Sequence, residues 1–304
     1  MKRIAAAGAA LVAAVVVSGC GAVPSTDIAA SVGGEDMTVE RLESVLRAIS
    51  SQDGSGVEED SATGTVDGGF ARNVLSVFVT VAATNEFLAA HGESITEEDR
   101  QTFLESVPED DPTRDQPDVL DLLVDLNAGN TAVGRVSTPD AAELKASYEE
   151  SPGSLGVLCV RHIVVADEAA AQDVVDELAA GASAEDLAVE RSTSPTAADD
   201  GGAIELAPGQ GCVGVPDALQ QQVPTSFVDA ALTAEPGAPT IVQTEAGWHV
   251  VVARPYDEIA DSLNTVFEQG AGPLLLSSYL RDVDVRIDPR YGRWDAAAGA
   301  VVAL

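Results

Sequence analysis

Two apolar runs, residues 157–165 and 241–252, constrain the fold of this chain more than any other feature. Both are rich in valine and isoleucine, and each carries one histidine, His162 in the first and His249 in the second. Runs of β-branched residues bounded by Gly and Pro read as strands, because branched side chains pack well on a pleated surface. The two runs enclose a unit of about one hundred residues, which is the size of a domain. Two of the three histidines in 304 residues therefore sit on its two strongest strand candidates.

Between the runs the order is a helix over 168–180, Gly181 as a helix-ending glycine, and a short helix over 183–191. A loop over 192–200, the Gly201-Gly202 turn and a short strand over 203–206 come next. After a loop through Pro216, a helix covers 226–232 and Glu235-Pro236-Gly237 turns the chain into its last strand. The sequence β-α-α-β-α-β over so short a span predicts an α+β domain, and adjacent glycines suit a tight backbone reversal.

Upstream, residues 28–150 read as mainly helical. A short strand over 28–37 turns at Gly33-Gly34, and Thr38 caps a helix whose apolar positions follow the 3.6 period. Residues 50–69 read as a loop, and 70–91 as the longest helix, with His91 beside Gly92 in a C-terminal capping role. Helices over 119–126 and 138–150 follow, the latter with Thr138 as cap and Pro139 in its first turn. Downstream, 257–304 holds a helical stretch, a strand and a tail bearing Arg281, Arg286, Arg290 and Arg293. The expectation is that it returns to complete the N-terminal domain, its arginines meeting that domain's carboxylates.

Charge bears on partners rather than on fold. Sixteen basic residues against 50 acidic ones give a net charge of −34, a surface that repels nucleic acid and anionic headgroups. Location is written in residues 1–20. Lys2 and Arg3 precede an apolar stretch over 4–17 too short to span a bilayer comfortably, and the segment ends Val17-Ser18-Gly19-Cys20. This resembles a bacterial lipobox, in which the cysteine becomes the lipidated first residue of the mature chain. It implies an extracytoplasmic protein held to the outer face of the membrane through Cys20, with 21–27 as a tether. The alternative is an ordinary secretory signal that contains a cysteine. With Cys20 taken by lipid, Cys159 and Cys212 remain as an even pair in an oxidising compartment, either bridged or as two buried thiols.

Other motifs carry less. Cys159, His162, Cys212 and His249 form a Cys2His2 set on paper, but residues three apart on a strand face opposite ways, so no metal is expected. Gly209, Gly211 and Gly214 match a dinucleotide string literally, without the strand such a motif follows, and no cofactor is expected.

The 156–256 unit resembles a parvulin-type peptidyl-prolyl isomerase domain. The matching pieces are Arg161 to Val165, Gly181 with Leu187-Ala188, Ser192, Gly201-Gly202, Phe227 with Ala230, and Thr244 with Gly247 to Val251. They occur in the family's order, apart from a longer loop over 207–222. The whole layout is similar to secreted SurA- or PrsA-type foldases: a helical chaperone domain over 28–150, one parvulin domain, and a returning segment over 257–304. The resemblance implies a four-stranded antiparallel-type sheet flanked by helices. His162 and His249 would face each other and fix each other's tautomers, with Thr244 bonded into their network. Ser194 would stand near the rotating carbonyl, where the family has Cys or Asp. Val223, Phe227 and Trp248 would bind substrate. The partners implied are unfolded or newly secreted polypeptides with proline-containing segments. Two functions stay open: an isomerase of X–Pro bonds, and a holdase whose histidines are a mutually satisfied core pair.

Overall fold

The computed structural model describes residues 28–51, 59–60, 65–206 and 209–304. The expected signal segment 1–20, Cys20 and the tether 21–27 lie outside the described residues, as does most of the expected 50–69 loop. The chain opens with strands β1 (Ile28–Val32) and β2 (Glu35–Thr38), an antiparallel hairpin turning at Gly33-Gly34. Helix α1 (Val39–Ser50) starts where the Thr38 hydroxyl accepts from the Arg41 amide. Short strands β3 (Glu59–Asp60) and β4 (Thr65–Val66) pair before α2 (Gly68–Ala90), the core helix of this half. Leu75, Phe78, Val79, Ala83 and Leu88 are buried along it.

Next come α3 (Glu97–Ser106), α4 (Pro117–Val133) and α5 (Ala141–Glu150). The last starts later than expected. Asp140 rather than Thr138 is its cap, since Asp140 and Glu143 exchange the two bonds of a capping box. Its packing also differs from expectation: buried Leu144 and Tyr148 join Ile259, Leu263 and Phe267 around the central unit's first strand, not the core of α1 and α2.

The central unit holds β5 (Val157–Leu158), β6 (Val160–Val165), α6 (Glu168–Ala179), α7 (Ala184–Arg191), α8 (Ala197–Asp200), β7 (Val213–Gly214), α9 (Val215–Gln220), α10 (Thr225–Thr233), β8 (Thr240–Thr244) and β9 (Gly247–Ala253). The expected 157–165 strand is broken at Cys159, whose carbonyl accepts from the Tyr148 hydroxyl and the Arg254 amide. Cys159 and Cys212 form a disulfide that ties this break to β7. The sheet is antiparallel in the order β6-β9-β8, one strand short of the four expected. Ala203 makes only an isolated bridge to Arg161, flanked by bonds from His162 N to Gly202 O and from Ile204 N to Val160 O. The chain arrives there through two left-handed glycines and leaves after two residues, too few for a ladder. Gly202 is obligatory on space as well as on φ (+77°): an added Cβ would lie 2.7 Å from both the Ala188 Cβ and the His162 carbonyl.

Two faces result from strand alternation. Val160, Val251 and Ala253 pack with α10 on one side, and Ile163, Val165 and Val250 with α6 and α7 on the other.

Helices α11 (Tyr256–Glu268) and α12 (Ala271–Asp282) lead to β10 (Val285–Ile287), β11 (Arg293–Asp295) and β12 (Ala300–Val302). The tail completes the N-terminal sheet: Ala30 pairs with Ile287 and Val32 with Val285, and the Val301 amide bonds the Ser76 hydroxyl on α2. Its arginines mostly do not reach that domain's acids. Arg286, Arg290 and Arg293 bond Asp284, Asp288 and Asp295, two residues away along the tail itself, and Arg281 bonds Asp229 on α10. Residues two apart on extended backbone share a face, and at Asp288 a turn brings Arg290 back over the carboxylate, so the local aspartates meet the guanidinium groups first. Arg290 additionally feels the Glu43 carboxylate.

The best-formed ion pair of the helical half is Asp99 with Arg135, two bonds of 2.7 and 2.9 Å. Arg135 and the Thr96 bonds outweigh burial and hold the Asp99 carboxyl at about 2. A depressed carboxyl stabilises the fold above its ordinary pKa and ceases to do so as pH falls from about 4 to about 2. Asp99→Asn should therefore cost about 1–2 kcal/mol at pH 7, less than the shift alone implies because Arg135 is 37% exposed. Urea titrations of the two proteins should converge near pH 2; a gap that persists there would refute the assignment.

Candidate active site

The site lies on the α10 face of the β6-β9-β8 sheet. Adjacent strands bring His162 and His249 together: His162 pairs with Val251 and His249 with Val164 across the ladder. The rings are nearly parallel, 10° apart with centroids 5.4 Å apart, and their Nδ1 atoms are 3.1 Å apart, a hydrogen bond that needs one proton between two nitrogens. His249 Nε2 lies 2.8 Å from the Thr244 hydroxyl, which also accepts from the Ala246 amide at 3.1 Å. The Gly247 turn between β8 and β9 (φ +132°) brings Thr244 back over its own histidine.

Phe227 closes this line from α10. Its ring stands edge-on to both histidines, at 5.3 Å in each case, and is 3% exposed. Half-buried Val223 packs into the same cluster, one turn of chain before it. The sequence thus brings His162, His249, Thr244, Phe227 and Val223 together. Two expected residues fall elsewhere. Trp248, adjacent to His249, projects from the opposite face and packs with Val174 and Leu187, so it is no part of this site. Ser194 is near in the chain's path but outside the hydrogen-bonded line: its amide donates to Ser192 Oγ, and its hydroxyl meets Thr196 at 3.3 Å.

Two further contributors emerge: Ser192, one of the matching pieces but without an expected role, and Asp200, which sequence reasoning missed. Ser192 anchors the loop by accepting from the Val164 amide of β6. Asp200 accepts from the Gly202 amide and places a negative charge close enough to act on His162. An aspartate two residues before a turning glycine was the available signal.

Electrostatically the site is dry and neutral. Burial, then the neighbouring His249, push His162 down to about 4, against the opposing pull of Asp200; burial lowers His249 as well. Both imidazoles are uncharged at neutral pH, each then with one donor and one acceptor nitrogen. Among the described residues no cluster of His, Cys, Asp and Glu could hold a metal ion, and the disulfide consumes both sulfurs. A folded-state pKa below the unfolded one means stability is fully present above about 6.5 and declines towards pH 4. Ring-carbon NMR should find His162 titrating near 4 in the folded protein; a midpoint near 6.5 would contradict a buried pair.

What the arrangement offers is a buried aromatic edge beside a fixed line of neutral donors and acceptors, with no cysteine thiol, acid or cation in the line among the described residues. Comparisons with known proteins fit it. Residues 139–254 match the model of the PPIC-type PPIase domain. The foldase protein PrsA of Caldanaerobacter subterraneus subsp. tengcongensis is 31% identical over 129 residues, which are 40% of this chain and 39% of that protein. The chain thus spans about two fifths of that relative's length. Crystal structures of PrsA from Bacillus subtilis and of peptidylprolyl isomerase (PrsA) from Bacillus anthracis are each 19% identical. They match over 74% and 68% of this chain and 91% and 95% of theirs, with TM-scores of 0.28 and 0.26. The matched segment starts at α5, the helix whose Tyr148 packs against the central unit. Residues 139–254 are a parvulin domain of the PPIC-type PPIase family.

Proposed function

We propose that this protein is an extracytoplasmic, membrane-anchored foldase that catalyses cis-trans isomerisation of X–Pro bonds in secreted polypeptides. The observation that carries the reading is the line Thr244–His249–His162 closed edge-on by Phe227. Rotation about an X–Pro bond must pass a barrier of about 18–20 kcal/mol that exists because resonance makes the bond partly double. The twisted amide loses that charge separation, so a water-poor apolar slot favours it over the planar ground state. No bond is broken, which agrees with a line that contains no cysteine thiol, acid or cation. Phe227 and Val223 would hold the proline ring, and the neutral histidine pair would set the slot's shape and polarity.

The chain's location is proposed from Val17-Ser18-Gly19-Cys20, and the Cys159–Cys212 bridge supports an oxidising compartment. Cys20→Ala should release the protein from membranes and abolish labelling by a radioactive fatty acid; retention of both would sink the anchor.

The functional test is NMR-exchange isomerisation of a proline peptide by the full chain. His249→Ala removes two bonds from the line and should lower kcat/KM by about 5- to 100-fold, with the fold intact by circular dichroism. Unchanged catalysis would displace the histidines from the mechanism. One observation favours a second reading. The Ser194 hydroxyl is turned to Thr196 rather than to the histidines, which suits a holdase whose parvulin unit turns over slowly or not at all. Suppression of client aggregation that survives loss of both histidines would favour it.

A further inference from the structure

The β8-β9 turn does more than carry Thr244. Pro224, Ser226, Gln243, Thr244, Glu245 and Ala246 line an open depression of about 680 Å³. One wall is the residue bonded to His249, so the depression adjoins the histidine line directly. A polypeptide with its proline against Phe227 must pass its neighbouring residues over this rim. Glu245 is the single charged side chain in the lining; it is exposed, and among the described residues it has no ion-pair partner.

A second carboxylate, Asp200 at the end of α8, acts on His162. Arg161, whose guanidinium bonds the Asp200 and Gly201 carbonyls, is already paired with Glu185 and Glu258. The rim of the depression therefore carries one carboxylate without an ion-pair partner among the described residues, Glu245, beside proline, alanine and neutral polar side chains.

We infer that Glu245 is a specificity-determining residue, and that the domain prefers X–Pro segments carrying lysine or arginine next to the proline over segments carrying aspartate or glutamate there. The inference rests on the isomerase reading. An exposed ion pair discriminates weakly, so the preference is about two- to fivefold. It falls with salt, as exposed pairs do.

The test uses the full chain and a set of neutral-backbone proline peptides with Lys, Ala or Glu on either side of the proline, compared by NMR-exchange kcat/KM at low salt. Lys peptides should lead Glu peptides by about two- to fivefold, Glu245→Gln should bring the ratio close to one, and Glu245→Lys should invert it. Asp110→Asn, an exposed acid of the helical half, controls for the general field of a chain with net charge −34 and should leave the ratio unchanged. Isomerisation of no peptide would overturn the underlying reading. Isomerisation without a Lys-over-Glu preference, or a preference that survives Glu245→Gln or falls equally in Asp110→Asn, would overturn the inference alone.

Discussion

Breaking the Cys159–Cys212 bridge lowers the stability of the central unit by about 4 kcal/mol, the value expected when a cross-link spanning 53 residues is removed from the unfolded chain. For a folding unit of about one hundred residues, that is roughly 16–32 °C in melting temperature. The bridge sits where the first strand breaks, beside the Tyr148 hydroxyl that bonds both the Cys159 and Arg254 carbonyls. It also fixes the start of the segment that carries β7 and α9 to the proline-facing helix α10. Cys159 and Cys212 are 2% and 0% exposed, so a reductant acts only as fast as this region opens. Two routes give independent readings. Dithiothreitol leaves both thiols in place, and the double variant Cys159→Ala/Cys212→Ala removes them and adds a small packing loss. Calorimetry of both against the oxidised protein measures the effect, with thiol labelling after unfolding to verify reduction. Melting temperatures within 2 °C of the oxidised protein would show that the bridge contributes little.

The fold was legible wherever one local signal acted alone. Strand alternation in 160–165 and 247–252, Gly181 after α6 and the glycine pair at 201–202 each had no competitor, and each lies where expected; the 241–252 run, read as one strand, is instead the hairpin β8-β9, which turns at Glu245-Ala246. Cys159 was not legible as a break, because its cause lies in Tyr148 and Arg254, remote in the chain. At α5 two start signals competed, and Asp140 with Glu143 won over Thr138-Pro139 because a capping box satisfies two backbone donors. Residues 207–222 read as loop, yet hold β7 and α9, elements of two and six residues that periodicity is too coarse to detect.

The site divides on the same line. Positions carried by the resemblance gave the histidine pair, Thr244 and Phe227. Trp248 went wrong although alternation alone separates it from His249, since neighbours on a strand face opposite ways. Ser194 depended on a hydroxyl's direction, which a neighbouring Thr196 decides and residue spacing does not encode.

Phe227→Ala is expected to cost about 3–5 kcal/mol, since the ring is 3% exposed in a cluster with Val160, Val213 and Val251. Loss of activity in that variant would say little about catalysis, because the cavity could loosen the whole α10 face. Phe227→Leu separates the two roles. Leucine keeps the site apolar and costs about 1.5 kcal/mol or less, but has no ring edge to set against the imidazoles at 5.3 Å. Two edge contacts at about 0.5–1.5 kcal/mol each correspond to a fall in kcat/KM of about 5- to 150-fold. The same change admits water beside His162, so its midpoint should rise from about 4 towards the ordinary histidine value. A folded Phe227→Leu protein with kcat/KM within twofold of the parent and an unmoved His162 midpoint would reduce Phe227 to core packing. A slowed enzyme with a raised midpoint would tie α10 to both the dryness of the site and its turnover. Arg281 on α12 bonds Asp229 on that same helix, two residues beyond Phe227, and α12 also packs against α2 of the helical half. A contact made by the returning C-terminal segment thus supports the ring against which the histidines are aligned, and Arg281→Ala should reproduce the Phe227→Leu effects in weaker form.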